Sequence, residues 1–268
     1  MKFHIMPLFL LMLLLAACGG GGNDNNTTGD DNVVNPGEVI NWDRDASTII
    51  FRAEVTGGSD ADALYRLNEV PPCTIYGNGR VVWSVPREGA SQILFDTLED
   101  PTIRSFISDL TVEERIYTYG AEADLQLPSE EQPIVEQVTV FVNDRLHVTD
   151  SFSDWDPDFF VNMVERCQSL GDTPTIYEPT GAWIAAAAVP YQIGAPVISW
   201  DREATGLDLQ ALANSGTPVW STDRIVAILW NVIHASTPDL QFADETGNYQ
   251  IAVQVPGITV NAPPAPES

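Results

Sequence analysis

The chain is 268 residues long, 44% hydrophobic, and carries a formal charge of −26 from 38 acidic against 12 basic residues. The apolar share supports a real core, and roughly 220 residues between a polar start and a Pro-rich end suffice for one large domain or two small ones. A field of this sign repels nucleic acid and anionic headgroups, which argues against nucleic-acid binding, and it disfavours acidic substrates unless arginines cluster in the fold.

Lys2 is the only lysine, so every other basic residue is an arginine. It precedes an apolar run, Phe3 to Leu15, that is too short for a bilayer span of about 20 residues. Ala16 and Ala17 are the small residues of a signal-peptidase site. Leu15-Ala16-Ala17-Cys18 resembles the signal of bacterial lipoproteins. That resemblance implies that residues 1–17 are a removed signal peptide and that Cys18 becomes an N-terminus acylated on its sulfur and amine. Two or more chains anchor stably where one binds marginally. The membrane is then a partner through the lipid on Cys18, and the expected location is the extracytoplasmic face of the cell membrane. An ordinary cleaved signal, with Cys18 incidental, is the competing reading. The acid-rich, lysine-free balance suits salty or harsh surroundings, and it equally suits plain solubility.

Residues 18–37 read as a lipid-anchored tether. Gly19 to Asn35 is Gly, Asn, Asp and Thr with nothing apolar before Val33. Such a segment buries too little to offset its ordering entropy, and as a flexible chain it spans roughly 25 Å. Asp24, Asp30 and Asp31 lack the alternation and closing Glu of a calcium loop. A single folded domain is expected over 38–261, followed by a frayed Pro- and Ala-rich tail at 262–268.

Within the domain, Val39 to Ser47 is echoed by Val197 to Thr205, with Val, Ile, Trp, Asp, Arg and Ala in the same places. The match stops at once, so two equivalent edge strands, each with an inward Trp and Asp-Arg at a turn, fit better than two domains; chance also remains open. Thr48 to Val55 alternates apolar and polar residues and reads as a strand. Thr74-Ile75-Tyr76, Gly77-Asn78-Gly79 and Arg80 to Trp83 read as a hairpin whose Asn-Gly pair supplies positive φ angles. The block Glu69 to Val82, with Val70-Pro71-Pro72-Cys73-Thr74-Ile75-Tyr76-Gly77-Asn78-Gly79-Arg80-Val81, resembles one in a family of bacterial secreted proteins and lipoproteins of unknown function. The likeness implies one fold over most of residues 48–260 and an extracytoplasmic location; it carries no site residues, and Cys73 stands where that block has an aromatic.

Asp100 before Pro101 reads as a helix N-cap, and Ile103, Phe106, Ile107 and Leu110 give the helix one apolar face. Val135 to Val142, the turn Asn143-Asp144 and Leu146 to Phe152 form a second hairpin, in which His147 alternates with Leu146 and Val148 and is expected to face outward. A second helix is expected from Asp156-Pro157 to near Gly171, with Phe160, Val161, Val164, Cys167 and Leu170 on one side. A third runs from Thr222-Asp223 to about His234, although its apolar content also suits a buried strand; His234 would sit at the helix end, where the dipole favours a cation. Tyr249 to Val255 is a late strand. Hairpins followed by helices without βαβ alternation argue an α+β fold, a mostly antiparallel sheet with about three helices packed on it.

Cys73 and Cys167 are a possible disulfide in an oxidising compartment, against two separately buried thiols. Neither has a histidine neighbour to make it a nucleophile. No Gly-x-Ser-x-Gly, His-Glu-x-x-His, Cys-x-x-Cys or phosphate-binding glycine loop is present, and no cofactor is implied. Asp154, Asp156 and Asp158, with Asn162 and Glu165, have the spacing of calcium ligands. Pro157 and Phe159 break the loop pattern, and a helix start with acids in its first turn explains the same residues. The reading is therefore a lipid-anchored extracytoplasmic interaction or binding protein without evident catalysis, with a protein or saccharide partner. A surface hydrolase using two carboxylates in a tryptophan-walled pocket is the alternative, and a protease inhibitor presenting Leu127 to Pro133 is a third.

Overall fold

β-branched and aromatic residues at alternate positions make β1 (Ile49–Gly57), whose Phe51 and Ala53 point inward. A register shift between Ile49 and Phe51 buries Ile50 as well. Three strands follow, β2 (Cys73–Tyr76), β3 (Arg80–Arg87) and β4 (Ala90–Thr97), and then helix α1 (Asp100–Ser108). The chain continues through β5 (Ile134–Val142), β6 (Arg145–Asp150), helix α2 (Phe159–Gln168) and β7 (Thr175–Ile176). These strands form one antiparallel sheet in the order β6-β5-β1-β2-β3-β4-β7. The computed structural model describes residues 40–267; the expected signal peptide, Cys18, the expected tether and the first residues of the expected domain lie outside the described residues.

Both expected hairpins form, with different turns. Asn143 and Asp144 are both left-handed, at φ 52° and 57°, the backbone that a two-residue hairpin loop requires. In the other hairpin only Gly79 is left-handed, at φ 86°, and its N–H donates to the Tyr76 carbonyl at 2.9 Å. The loop is the expected Gly77-Asn78-Gly79, but Gly79 alone, and not the Asn-Gly pair, takes a positive φ. Gly77 is fixed by crowding: a Cβ there would sit 2.0 Å from the Asp43 carbonyl oxygen.

One face of this sheet packs against α1 and α2. Ile103, Phe106 and Ile107 from α1 and Phe159, Phe160, Met163 and Cys167 from α2 are buried over Ala53, Ile75, Val81, Trp83, Val138 and Val140. Helix α2 begins at Phe159, later than Asp156-Pro157, and Met163 takes the inward place expected of Val161, which is exposed. Cys73 in β2 and Cys167 in α2 form a disulfide across 94 residues of sequence. Beside it, the Gln168 amide donates to the carbonyls of Pro72 and Ser84. Arg166 pairs with Asp109 and Glu114, which tie α2 to the turn after α1.

The second half adds β8 (Ala182–Val189), β9 (Val197–Ser199), α3 (Arg202–Thr205), α4 (Leu209–Ser215), β10 (Val219–Ser221), α5 (Arg224–His234), β11 (Gln241–Asp244) and β12 (Gly247–Gln254). Its strands make a separate sheet, ordered β10-β8-β12-β11-β9, with only the β9–β11 pair parallel. The α+β class stands, with two sheets in place of one and with α3 and α4 added to the three expected helices. A second core joins the sheets: Tyr76, Val82 and Ile93 pack with Ile184, Trp230, Phe242, Ile251 and Val253.

The sequence echo resolves into two uses of one pattern. Trp42 and Trp200 are both buried, donating to the carbonyls of Gly77 and Leu207. Asp201 then caps α3 by accepting from the Ala204 N–H, whereas Asp43 accepts from the Asp45 N–H in a loop. The first copy is not a strand; the second is edge strand β9. The Pro-rich tail, expected to be frayed, is held at one point because the Trp183 indole donates to the Pro264 carbonyl at 3.0 Å.

The end of β12 depends on Asn68. Only three residues of β12 pair with β11. Beyond them, the Asn68 amide donates to the Ile251 carbonyl at 3.1 Å and accepts from the Val253 N–H at 2.6 Å. Asn68→Ala leaves both backbone groups buried and unpaired, which costs about 2–4 kcal/mol, readable as a lowered urea midpoint. Reducing the disulfide, or the Cys73→Ala/Cys167→Ala pair, releases a long loop in the unfolded chain and lowers stability by about 4–5 kcal/mol in the chain-entropy view; unfolding with and without reductant measures it.

Candidate functional site

A cavity of about 470 Å³ opens where the chain between β1 and β2 leaves the sheets. Leu64–Asn68 is a 3₁₀ turn, and Glu69 to Pro72 runs extended. Pro71 and Pro72 have no N–H to donate, so this stretch cannot add a full strand to either sheet. The gap is walled by Val70, Pro71 and Pro72 on one side, by the β3–β4 hairpin at Arg87 to Ser91 on another, and by the end of α5 with Ser236 to Pro238 on a third. Leu240, Phe242 and Ile251 complete it. Gly89, at φ 68°, lets the hairpin tip close against Thr237: a Cβ there would lie 2.7 Å from the threonine methyl.

Each charged group of this wall is already engaged. Arg66 and Glu69, three residues apart, form an ion pair at 3.1 Å, and Arg66 also donates to the Gly57 carbonyl at 3.3 Å. Burial pushes the Glu69 carboxyl above its ordinary range, opposed by the Arg66 guanidinium. Arg87 donates to the Gln92 side-chain carbonyl at 2.9 Å.

His234 is the most perturbed group. Its Nδ1 lies 3.0 Å from the Ser91 hydroxyl, and its ring centroid lies 4.2 Å from that of Trp230. Its Nε2 is shut off from solvent and has no hydrogen-bond partner among the described residues. Burial lowers its pKa from 6.5 to about 4, so the imidazole is neutral near pH 7. The sequence expectation of a cationic histidine complementing the helix dipole is thereby corrected; desolvation outweighs the dipole. A serine beside a histidine also evokes a nucleophile with its base. The pair lacks a third group to orient the second ring nitrogen, and a base with a pKa of about 4 is poorly matched to removing a proton at neutral pH.

The other sequence candidates lie elsewhere. Cys18 is outside the described residues. Cys73 and Cys167 are bonded to each other in the helix-side core. Among the described residues no three His, Cys, Asp or Glu side chains come together to hold a metal ion, so the calcium candidate Asp154, Asp156 and Asp158 does not assemble. Asp154 takes a left-handed backbone at φ 55°, and the Asp156 carbonyl accepts the Phe159 N–H at the opening of α2. His147, expected to face outward, is buried, with Nε2 3.0 Å from the Ile116 carbonyl oxygen and its ring against Tyr117. The segment Ile116–Thr118 covers the face of β6 that the sequence pattern leaves open. Glu69 is the single acid lining the cavity and no tryptophan lines it, so the two-carboxylate site with tryptophan walls does not form there. In the Leu127 to Pro133 loop, Gln132 donates to the carbonyls of Leu125 and Leu127 and braces the turn.

Sequence reasoning missed Ser91 and the cavity, whose Ser91–His234 contact spans 143 residues. The Arg66–Glu69 spacing was a legible signal, since side chains three apart on a helical turn meet. No protein-family model, no curated protein and no solved structure matches the chain.

The lowered pKa of His234 sets a pH dependence. Between about pH 4 and 6.5 the unfolded chain binds more protons at this site than the folded one. Its contribution is therefore complete above about 6.5 and is lost as pH falls toward about 4, amounting to about 3 kcal/mol. His147, also lowered by burial, acts in the same direction. In His234→Phe the fall in urea midpoint from pH 7 to pH 4.5 is expected to be shallower than in wild type, and equal slopes would show that His234 is not held neutral.

Proposed function

We propose that this protein is an interaction protein of the extracytoplasmic face, anchored to the cell membrane through acyl chains on Cys18, and that it binds rather than transforms its partner. The observation that carries the binding reading is the cavity beside Ser91 and His234: it is concave, mainly apolar in its walls, and holds a few converging polar groups, as ligand sites do. Its ionic groups are paired and its histidine is a poor base, which favours recognition over catalysis. The Leu15-Ala16-Ala17-Cys18 pattern supports the anchor. The Cys73–Cys167 bond suits an oxidising compartment. Among the described residues no helix is long and apolar enough to cross a membrane. The protein or saccharide partner expected from sequence would meet a strongly acidic surface, so basic or neutral partners are favoured over nucleic acid.

Metabolic labelling with an alkyne fatty acid, followed by fractionation, tests the anchor. The wild type should carry label and remain in membranes, and Cys18→Ser should lose the label and become soluble; an unacylated wild type removes the anchor. Chromogenic ester and glycoside substrates test the binding reading. Turnover that disappears in both His234→Phe and Glu69→Gln would make the cavity an active site.

A further inference from the structure

The walls of the cavity also define the chemistry of its occupant, on the premise that the cavity is the binding site proposed above. A charged ligand entering it would lose water and needs a counter-charge in return. Arg66 and Glu69 answer each other, and Arg87 is exposed and bonded to Gln92. An anion must compete with Glu69 for Arg66 or take the exposed, hydrated Arg87 from Gln92, inside a molecule of charge −26. A cation must compete with Arg66 for the one lining carboxylate. Neither exchange improves on the pair already made.

The hydrogen-bonding capacity that remains is neutral. Ser91 presents a hydroxyl held by His234 Nδ1. Ser236 also lines the cavity, and its hydroxyl has no partner among the described residues. Around them stand mainly aliphatic and proline side chains, with Tyr65, Ser84 and Gln250 as further neutral polar groups. The predominance of apolar side chains in the wall favours a mainly apolar molecule over a saccharide, which needs many hydrogen bonds at once. We propose that this cavity binds an uncharged, mainly apolar small molecule carrying one or two hydroxyl or carbonyl oxygens, which meet the hydroxyls of Ser91 and Ser236 while the body of the molecule lies against Val70, Pro71, Leu240 and Ile251.

The test uses the full chain with Cys18→Ser, free of detergent, and the neutral dye Nile red, an apolar molecule with a single ring carbonyl. Saturable one-to-one binding with a blue shift is expected. At about pH 8, 1-decanol should displace the dye, and decanoate and decylammonium should do so at least about tenfold more weakly, a difference of about 1.4 kcal/mol. Ser236→Phe fills the cavity from a loop and should weaken the dye at least about tenfold with an unchanged melting temperature; Val260→Phe, on the opposite wall, serves if that variant fails to fold. Equal or better displacement by either ion overturns the neutral ligand and leaves the binding site standing. Absence of saturable dye binding, or binding indifferent to both filling variants, overturns the site and its ligand together.

Discussion

Beside the core that joins the two sheets, the side chain of Asn68 ties the last strand to the segment before β2. Strand β12 is paired with β8 along its length, but β11 covers only its first residues on the other side. The backbone beyond would be left with a buried donor and acceptor, each costing about 1–3 kcal/mol if unpaired. A side-chain amide carries its donor and its acceptor on separate atoms, and Asn68 places one on Ile251 and the other on Val253. The Val260 N–H, donating to the Glu69 carbonyl, continues the same contact. The last strand is thereby secured to the segment that feeds β2. That segment then runs into Pro71-Pro72, which cannot extend the pairing, and the space it fails to fill is the cavity.

Charge at half-buried positions is managed by arginine. Arg52 donates to Thr74 and to the Gly257 carbonyl, the Tyr76 hydroxyl donates to that same carbonyl at 2.6 Å, and Arg80 lies over the Tyr76 ring. Arg166 holds two acids at once. These are uses for a planar, multiply donating cation that lysine meets poorly, so a chain almost without lysine can still brace its sheets and helices. The surplus acids remain at the surface, where salt screens them over about 10 Å. The cavity escapes this surplus because its single carboxylate is neutralised locally.

Local patterns were readable and nonlocal ones were not. Strands β1, β5 and β12 and helices α1, α2 and α5 all follow from periodicity, and the Asn143-Asp144 turn follows from residues that tolerate a left-handed backbone. The second sheet was hidden because β10 has only three residues and β8 is a run of alanines, poor strand formers whose place is set by neighbours. His147 shows the limit of alternation: the pattern says which side of β6 it takes, and only the distant Ile116–Thr118 turn decides that this side is covered. The disulfide was left open for the same reason, since pairing is a matter of where α2 lands on β2.

His234 and Ser91 lie outside that kind of reading altogether, and their chemistry follows from position. At the end of an exposed helix a histidine would be a cation suited to the dipole. Here α5 is packed against the sheets, Trp230 lies one turn back against the ring, and the hairpin brings Ser91 to Nδ1. With Nε2 closed off from water, protonation would create a buried charge whose Nε2–H has no acceptor, a cost of several kcal/mol per ion. The neutral imidazole can instead donate to or accept from one hydroxyl. The pair therefore presents the cavity with an oriented serine hydroxyl rather than an acid or a base, which suits the neutral molecule proposed for it.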